Sequence, residues 1–148
     1  MTLLNPPILD RDLIVCTYNC QSVDSADRLS ALIHETQLIE YHVIGLSETK
    51  RREPLSCTWN DGTLVYLGAR ETNSPSGGVG FIVSPGFSMY VQSVEFHGHR
   101  LATLTARLTG GLVTIIQAYA PTATSSKEEH DTFYKNSWSS RTERASLL

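Results

Sequence analysis

Tyr41-His-Val-Ile-Gly-Leu-Ser-Glu-Thr49 is the stretch from which the fold is worked out. It is short and largely apolar, which predicts a buried strand. Glu48 follows as a carboxylate at the carboxyl end of that strand, with small polar neighbours. In open α/β sheets, ligands bind beyond the carboxyl ends of strands, and Mg²⁺ needs only one or two protein carboxylates. Glu48 is therefore a candidate metal ligand, although most glutamates at strand ends only contact solvent.

The residues before this strand predict a second strand and a helix. Residues 12–19 are rich in β-forming side chains, and Asp24 with Asp27 resembles a helix start. An apolar stripe near a 3.6 period follows, formed by Leu29, Leu32, Ile33, Thr36 and Ile39. In such a strand–helix–strand unit the two strands are expected to be parallel neighbours, which puts Asn19 and Glu48 side by side. Taken alone, Asn19 is a weak signal, because asparagines are common in turns, where their side chains satisfy local backbone groups.

The second half of the chain changes to short β-like runs separated by glycine-containing turns, which predicts antiparallel pairing. The runs are Thr63–Ala69, Gly78–Ser84, Phe87–Phe96, Leu101–Leu108 and Leu112–Tyr119. Tyr119 ends the last run, either as an interfacial aromatic or as a phenol that donates to a phosphate oxygen. Residues 125–135 resemble a helix. The predicted organisation is a lead-in over residues 1–11, a domain over 12–135 and a disordered tail over 136–148.

Composition argues against charge-driven nucleic-acid binding, but not against an enzyme that binds phosphates locally through a metal. The 148 residues carry a net charge of −3. Three cysteines without a CxxC pair predict reduced thiols in an intracellular protein, cytoplasmic or nuclear. No apolar run approaches the ~18 residues that span a bilayer, so no membrane partner is expected.

Taken in order, these landmarks resemble the endonuclease/exonuclease/phosphatase superfamily, which has the DNase I-like fold. The resemblance covers roughly residues 12–135 and is closest to the endonuclease region of non-LTR retrotransposons and to craniofacial development protein-like sequences. Its motifs are Thr17-Tyr-Asn-Cys20, Ile44-Gly-Leu-Ser-Glu-Thr49, Ser76-Gly-Gly-Val-Gly-Phe-Ile-Val83, Arg100-Leu-Ala-Thr-Leu104 and Ala118-Tyr-Ala-Pro121.

The resemblance implies an α/β (α+β) four-layer sandwich, two sheets packed face to face with helices outside. It also implies phosphodiester cleavage that depends on Mg²⁺ or Mn²⁺, with DNA as the expected substrate. On this basis Glu48 ligates the metal, Asn19 helps to position the metal or the phosphate, and Tyr119 binds the phosphate. A phosphatase or sphingomyelinase-like activity is a further possibility within the same superfamily.

The sequence departs from the family in lacking its Asp-x-Asn and Ser-Asp-His motifs, which carry the water-activating aspartate and the His–Asp pair. The chain is therefore expected to be a truncated, N-terminal half of the domain, inactive alone. One mainly antiparallel mixed sheet with helices on one face is expected, and its uncovered apolar face would favour self-association. The alternative function is a non-catalytic interaction module, or a relic of a retrotransposon endonuclease.

Overall fold

Two β-sheets and one α-helix make up residues 12–120, the part of the chain that the structure, a computed structural model, describes. The elements are β1 (Val15–Asn19), α1 (Ala26–Thr36), β2 (Val43–Ser47), β3 (Leu55–Thr58), β4 (Leu64–Leu67), β5 (Val79–Val83), a 3₁₀ turn (Ser88–Tyr90), β6 (Val91–Phe96), β7 (Leu101–Leu108) and β8 (Gly111–Ala118). The predicted lead-in, the helix over 125–135 and the tail over 136–148 lie outside the described residues.

The first sheet has five strands in the order β1-β2-β5-β4-β3. Strands β1 and β2 run parallel, with Val15 opposite Val43 and Asn19 opposite Ser47, so the predicted strand–helix–strand unit is confirmed. All other neighbours in this sheet are antiparallel. The mixed α/β class is therefore confirmed.

Helix α1 covers one face of the first sheet. Ser25 caps its start, because the Ser25 side chain accepts a hydrogen bond from the Arg28 backbone N–H at 3.2 Å. Three members of the predicted apolar stripe, Leu29, Leu32 and Ile33, join one core cluster with sheet residues Ile44, Leu46, Val65, Leu67 and Ile82. The stripe was predicted one turn too long, because Ile39 lies beyond the end of α1 and is exposed. None of the helices within residues 12–120 has the length and apolar character needed to cross a membrane.

The second sheet, in the order β6-β7-β8, is an antiparallel meander that packs against the opposite face of the first sheet. A second core cluster joins the two sheets and includes Val43, Phe81, Val83, Ala102, Leu104 and Ala106. The approach is close above Gly45, where a Cβ atom would collide with Oε1 of Gln117.

The expectation of one sheet with an uncovered apolar face was wrong. The last three strands form a separate sheet that covers this face. The reason given for expecting self-association therefore does not hold. Two local predictions were also incomplete. Strand β3 was missed, and the run predicted over residues 87–96 begins with the 3₁₀ turn and becomes a strand only at Val91.

Candidate functional site

Glu48 leaves the carboxyl end of β2 and accepts a hydrogen bond at Oε1 from the Tyr119 hydroxyl, at 2.7 Å. Its backbone is left-handed, with a φ of 57°, a conformation that costs an L-residue roughly 1–2 kcal/mol. The chain after it is held in place by main-chain bonds, from Thr49 N to Gly78 O at 3.2 Å and from Lys50 N to Gly77 O at 3.0 Å. The surrounding structure therefore maintains a strained backbone at the candidate ligand.

Tyr119 reaches Glu48 from the other sheet, directly after the end of β8. Its backbone N–H donates to Arg100 O at 2.8 Å. The Arg100 guanidinium carbon lies 5.4 Å from the centre of the Tyr119 ring. The hydrogen bond to Glu48 raises the pKa of Tyr119 above its ordinary value, and burial and the Glu48 charge act in the same direction while Arg100 opposes them. Tyr119 is therefore protonated, and a hydrogen-bond donor, at neutral pH.

Asn19 lies at the neighbouring strand end, as predicted, but its side chain serves a local turn. Its Oδ1 accepts a hydrogen bond from the Gln21 backbone N–H at 3.0 Å. Within residues 12–120, the Asn19 side chain makes no hydrogen bond to Glu48 or Tyr119. The strand ends themselves are joined, because Cys20 N donates to Ser47 O at 3.0 Å. The structure thus brings Glu48 and Tyr119 into contact and leaves Asn19 beside them.

Two residues near the site received no functional role in the sequence analysis. Arg100 lies beside Tyr119 because the β7–β8 hairpin aligns Leu108 with Gly111 and Leu101 with Ala118. Counting back from the Gly110-Gly111 turn would have paired Arg100 with Tyr119. Cys20 donates through Sγ to Ser47 O at 3.2 Å, and burial raises the pKa of its thiol. The contact between Cys20 and Ser47 could not be predicted from the sequence, because it depends on the conformation of the loop after β1.

The loops and strand ends around Glu48 form one rim, which we define as residues 19–23, 47–51, 77–78, 99–100 and 119. Main-chain bonds join its parts, including Val23 N to Thr49 O at 3.0 Å and Gly78 N to His99 O at 2.9 Å. An open cleft of about 620 Å³ lies next to the rim, and Arg70, Phe96 and His99 are among its lining residues. The rim therefore carries the acid and phenol, and the cleft beside them is lined by both a basic and an acidic side chain, Arg70 and Glu71.

The donor set at the rim suits a hard cation. Glu48 offers a carboxylate and Asn19 an amide oxygen, and Mg²⁺ is held by one or two carboxylates while it keeps several waters. Among the described residues, no group of three or more His, Cys, Asp or Glu side chains is placed to hold a metal ion. Glu48, and Asn19 on the neighbouring strand end, are the rim residues that could contribute oxygen ligands to a cation.

Comparison of the sequence with protein-family models and with curated proteins finds no match. Function is therefore inferred from the geometry of the rim and from the resemblance of its motifs.

Proposed function

We propose that this chain carries the metal-binding and phosphate-binding half of a Mg²⁺-dependent phosphodiesterase site, with DNA as its substrate, on a fold of the DNase I-like sandwich type. One observation carries the proposal. The Tyr119 hydroxyl lies 2.7 Å from Glu48 Oε1, although the two residues are 71 positions apart and follow strands of different sheets.

This contact supports the proposal because the two residues were selected from the sequence for separate reasons. Glu48 was selected as a carboxylate at a strand end and Tyr119 as a phenol at another strand end. A glutamate that only contacts solvent would not be expected to accept a hydrogen bond from a tyrosine of the other sheet. A site that binds metal and phosphate together needs an acid and a hydrogen-bond donor within a few ångströms of each other.

Each residue has a distinct role in this proposal. Glu48 would hold the Mg²⁺ ion, with the Asn19 amide as its neighbour. The bound ion supplies positive charge to a phosphoryl oxygen and to the leaving oxyanion. Tyr119 is kept protonated by its raised pKa and donates its single O–H to Glu48 in this structure; on substrate binding the same O–H would turn to a phosphate oxygen. Arg100, beside the Tyr119 ring, adds a positive charge that favours an anionic substrate.

The sequence lacks the family motifs that supply the general base. The sequence contains neither an Asp-x-Asn nor a Ser-Asp-His motif. Loss of a positioned acid or base typically costs about 10²–10⁴ in rate. We therefore expect residues 1–148 to bind the cation and phosphate but to cleave DNA no faster than a buffer blank.

The test compares cation binding and cleavage in the same proteins. Mn²⁺ binding is measured by electron paramagnetic resonance for the wild type, Glu48→Gln and the control Glu53→Gln, an exposed glutamate outside the rim. Cleavage is followed on an abasic-site duplex and on supercoiled DNA with Mg²⁺. We expect Glu48→Gln alone to weaken Mn²⁺ binding, by about tenfold or more.

Equal Mn²⁺ binding by all three proteins would refute the metal site and leave the non-catalytic interaction module as the function. Cleavage that requires Mg²⁺ and is lost in Glu48→Gln would show that the site is complete, which would contradict only the expected inactivity.

A further inference from the structure

Within residues 12–120, strand β1 is an edge of the first sheet with no strand on its outer side. It ends the strand order, and Val15, Thr17, Tyr18 and Asn19 are exposed, with 44% of Val15 and 48% of Tyr18 accessible. Natural edges are usually blocked by charged residues, proline or bulges. Strand β6, an edge of the second sheet, carries Glu95 and an irregular register, whereas residues 13–19 contain no Lys, Arg, Asp, Glu or Pro. β1 is thus competent to accept another strand.

The hydrogen bonds of β1 show which of its peptide groups point outward. Ile14 O accepts from His42 N at 2.9 Å, and Cys20 N donates to Ser47 O at 3.0 Å. Even-numbered residues therefore direct their main-chain groups toward β2. Because successive residues of a strand alternate, Val15, Thr17 and Asn19 direct their N–H and C=O groups away from the sheet.

We propose that β1 pairs with β1 of a second copy of this chain, antiparallel, about a two-fold axis that passes through Thr17. In this register Thr17 lies opposite Thr17 of the second copy and exchanges both of its main-chain hydrogen bonds. Val15 and Asn19 of opposite copies form the next bonded pairs. The two five-stranded sheets become continuous, an isologous arrangement in which one patch serves both subunits.

A cavity beside β1 provides a specific binding site for a side chain of the second copy. It has a volume of about 190 Å³, lies between β1 and α1, and is lined by Cys16, Thr17, Tyr18, Leu32, Glu35, Thr36, Ile39 and Ile44. The proposed register places Tyr18 of the second copy opposite Cys16, on this face. An apolar cavity of roughly 150 Å³ accepts a benzene molecule, so this one has room for one tyrosine ring. Its Glu35 carboxylate offers an acceptor for the phenol hydroxyl.

The proposed register also creates no charge repulsion between the two copies. Between residues 13 and 21 the register brings no two like charges together, because this segment has no charged side chain. The symmetric pair fills both cavities with the same residue, Tyr18, and buries the exposed Val15 side chains. The proposal is independent of the phosphodiesterase site, since it uses only the main chain of Asn19 and neither Glu48 nor Tyr119.

The test uses charge at the symmetry axis. Sedimentation velocity over a wide concentration range gives the dimer dissociation constant for the wild type, Thr17→Lys and Thr17→Glu. Like charges placed opposite each other cost several kcal/mol, so each variant is expected to raise that constant by about 100-fold. An equimolar mixture of the two variants is expected to restore dimers, because lysine then faces glutamate. Tyr18→Ala is expected to weaken the dimer without this rescue.

Ser56→Lys and Ser56→Glu are the matched controls, since Ser56 is exposed on β3, the opposite edge of the same sheet. They should dimerise like the wild type, and circular dichroism checks that every variant is folded. A wild type that stays monomeric at all concentrations would overturn the proposal. So would Thr17 variants that dimerise like the wild type, or a mixture that remains monomeric.

Discussion

The hydrogen bond between Tyr119 and Glu48 should be measurable as a coupling free energy. The perturbation is a double-mutant cycle of Tyr119→Phe, which removes the donor, and Glu48→Ala, which removes the acceptor. The Tyr119 hydroxyl donates to the Glu48 carboxylate at 2.7 Å. Hydrogen bonds from hydroxyls to carboxylates are among the short, strong ones in proteins. Such bonds contribute roughly 1.5–3 kcal/mol to stability. Because both residues are only half-buried, we expect a coupling near the lower end, about 1.5 kcal/mol.

Urea denaturation of the four proteins supplies the free energies of unfolding. The m-values must agree, since a change in m signals a change in the denatured state rather than in the contact. A parallel cycle of Glu48→Ala with Tyr90→Phe is the control, because Tyr90 is buried at the end of the 3₁₀ turn and makes no hydrogen bond to Glu48 among the described residues. Its coupling should lie within about 0.5 kcal/mol of zero. A Tyr119–Glu48 coupling as small as that of the control would refute the contact on which the proposed function depends.

Three further predictions concern the backbone of Glu48, the pKa of Tyr119 and the packing at Gly80. In the Tyr119→Phe background, Glu48→Gly should raise the free energy of unfolding by about 1 kcal/mol, because glycine adopts a φ of 57° without strain; a loss of stability in urea would contradict this. The raised pKa of Tyr119 means that the folded state prefers the protonated phenol, so the stability that Tyr119 adds over Tyr119→Phe should be complete below its ordinary pKa of 10.0 and fall as pH rises through the folded-state pKa. Urea curves from neutral to alkaline pH check this, and a difference that grows with pH would contradict it. Gly80→Ala should destabilise by about 2–3 kcal/mol, because its Cβ would collide with the Tyr66 carbonyl oxygen, whereas Gly86→Ala, which meets open space, should be nearly neutral; equal thermal midpoints would show that β4 and β5 can separate.

Local pattern was enough to predict the parallel pair and the helix. Residues 12–19 and 41–49 are short apolar runs, and the stripe from Leu29 to Thr36 has the period of a helix, so each segment carried its own signal. The assignment of strands to sheets could not be predicted in this way. Alternation along β7 shows that the strand has two faces, but it does not show that β6–β8 form a separate sheet.

Two errors have identifiable causes. Strand β3 has only four residues, and Leu55 and Cys57 are its only apolar side chains, which is too short a pattern to recognise. In residues 87–96, Phe87 and Tyr90 are buried by the 3₁₀ turn rather than by strand alternation.

In the candidate site, too, some features could be predicted from the sequence and others could not. The positions of Glu48 and Tyr119 at strand ends could be predicted, because each directly follows an apolar run. Their contact could not, since it depends on the packing of the two sheets. The turn around Asn19 depends on the backbone of Gln21, whose φ is 54°, and no residue pattern indicated it.

The main-chain bonds of the rim have a consequence for how this site can change over evolutionary time. Peptide groups, rather than side chains, tie Cys20 to Ser47, Thr49 to Gly78, and Gly78 to His99. Every residue except proline supplies the same groups. Substitutions that alter the acid, the amide or the phenol can therefore accumulate without moving the strand ends. Gly77 and Gly78, with φ values of 90° and 93°, restrict this freedom, and so do the non-glycine rim residues with positive φ, among them Glu48 and Lys50. A duplicated copy of such a chain can lose one chemistry and acquire another while its fold persists.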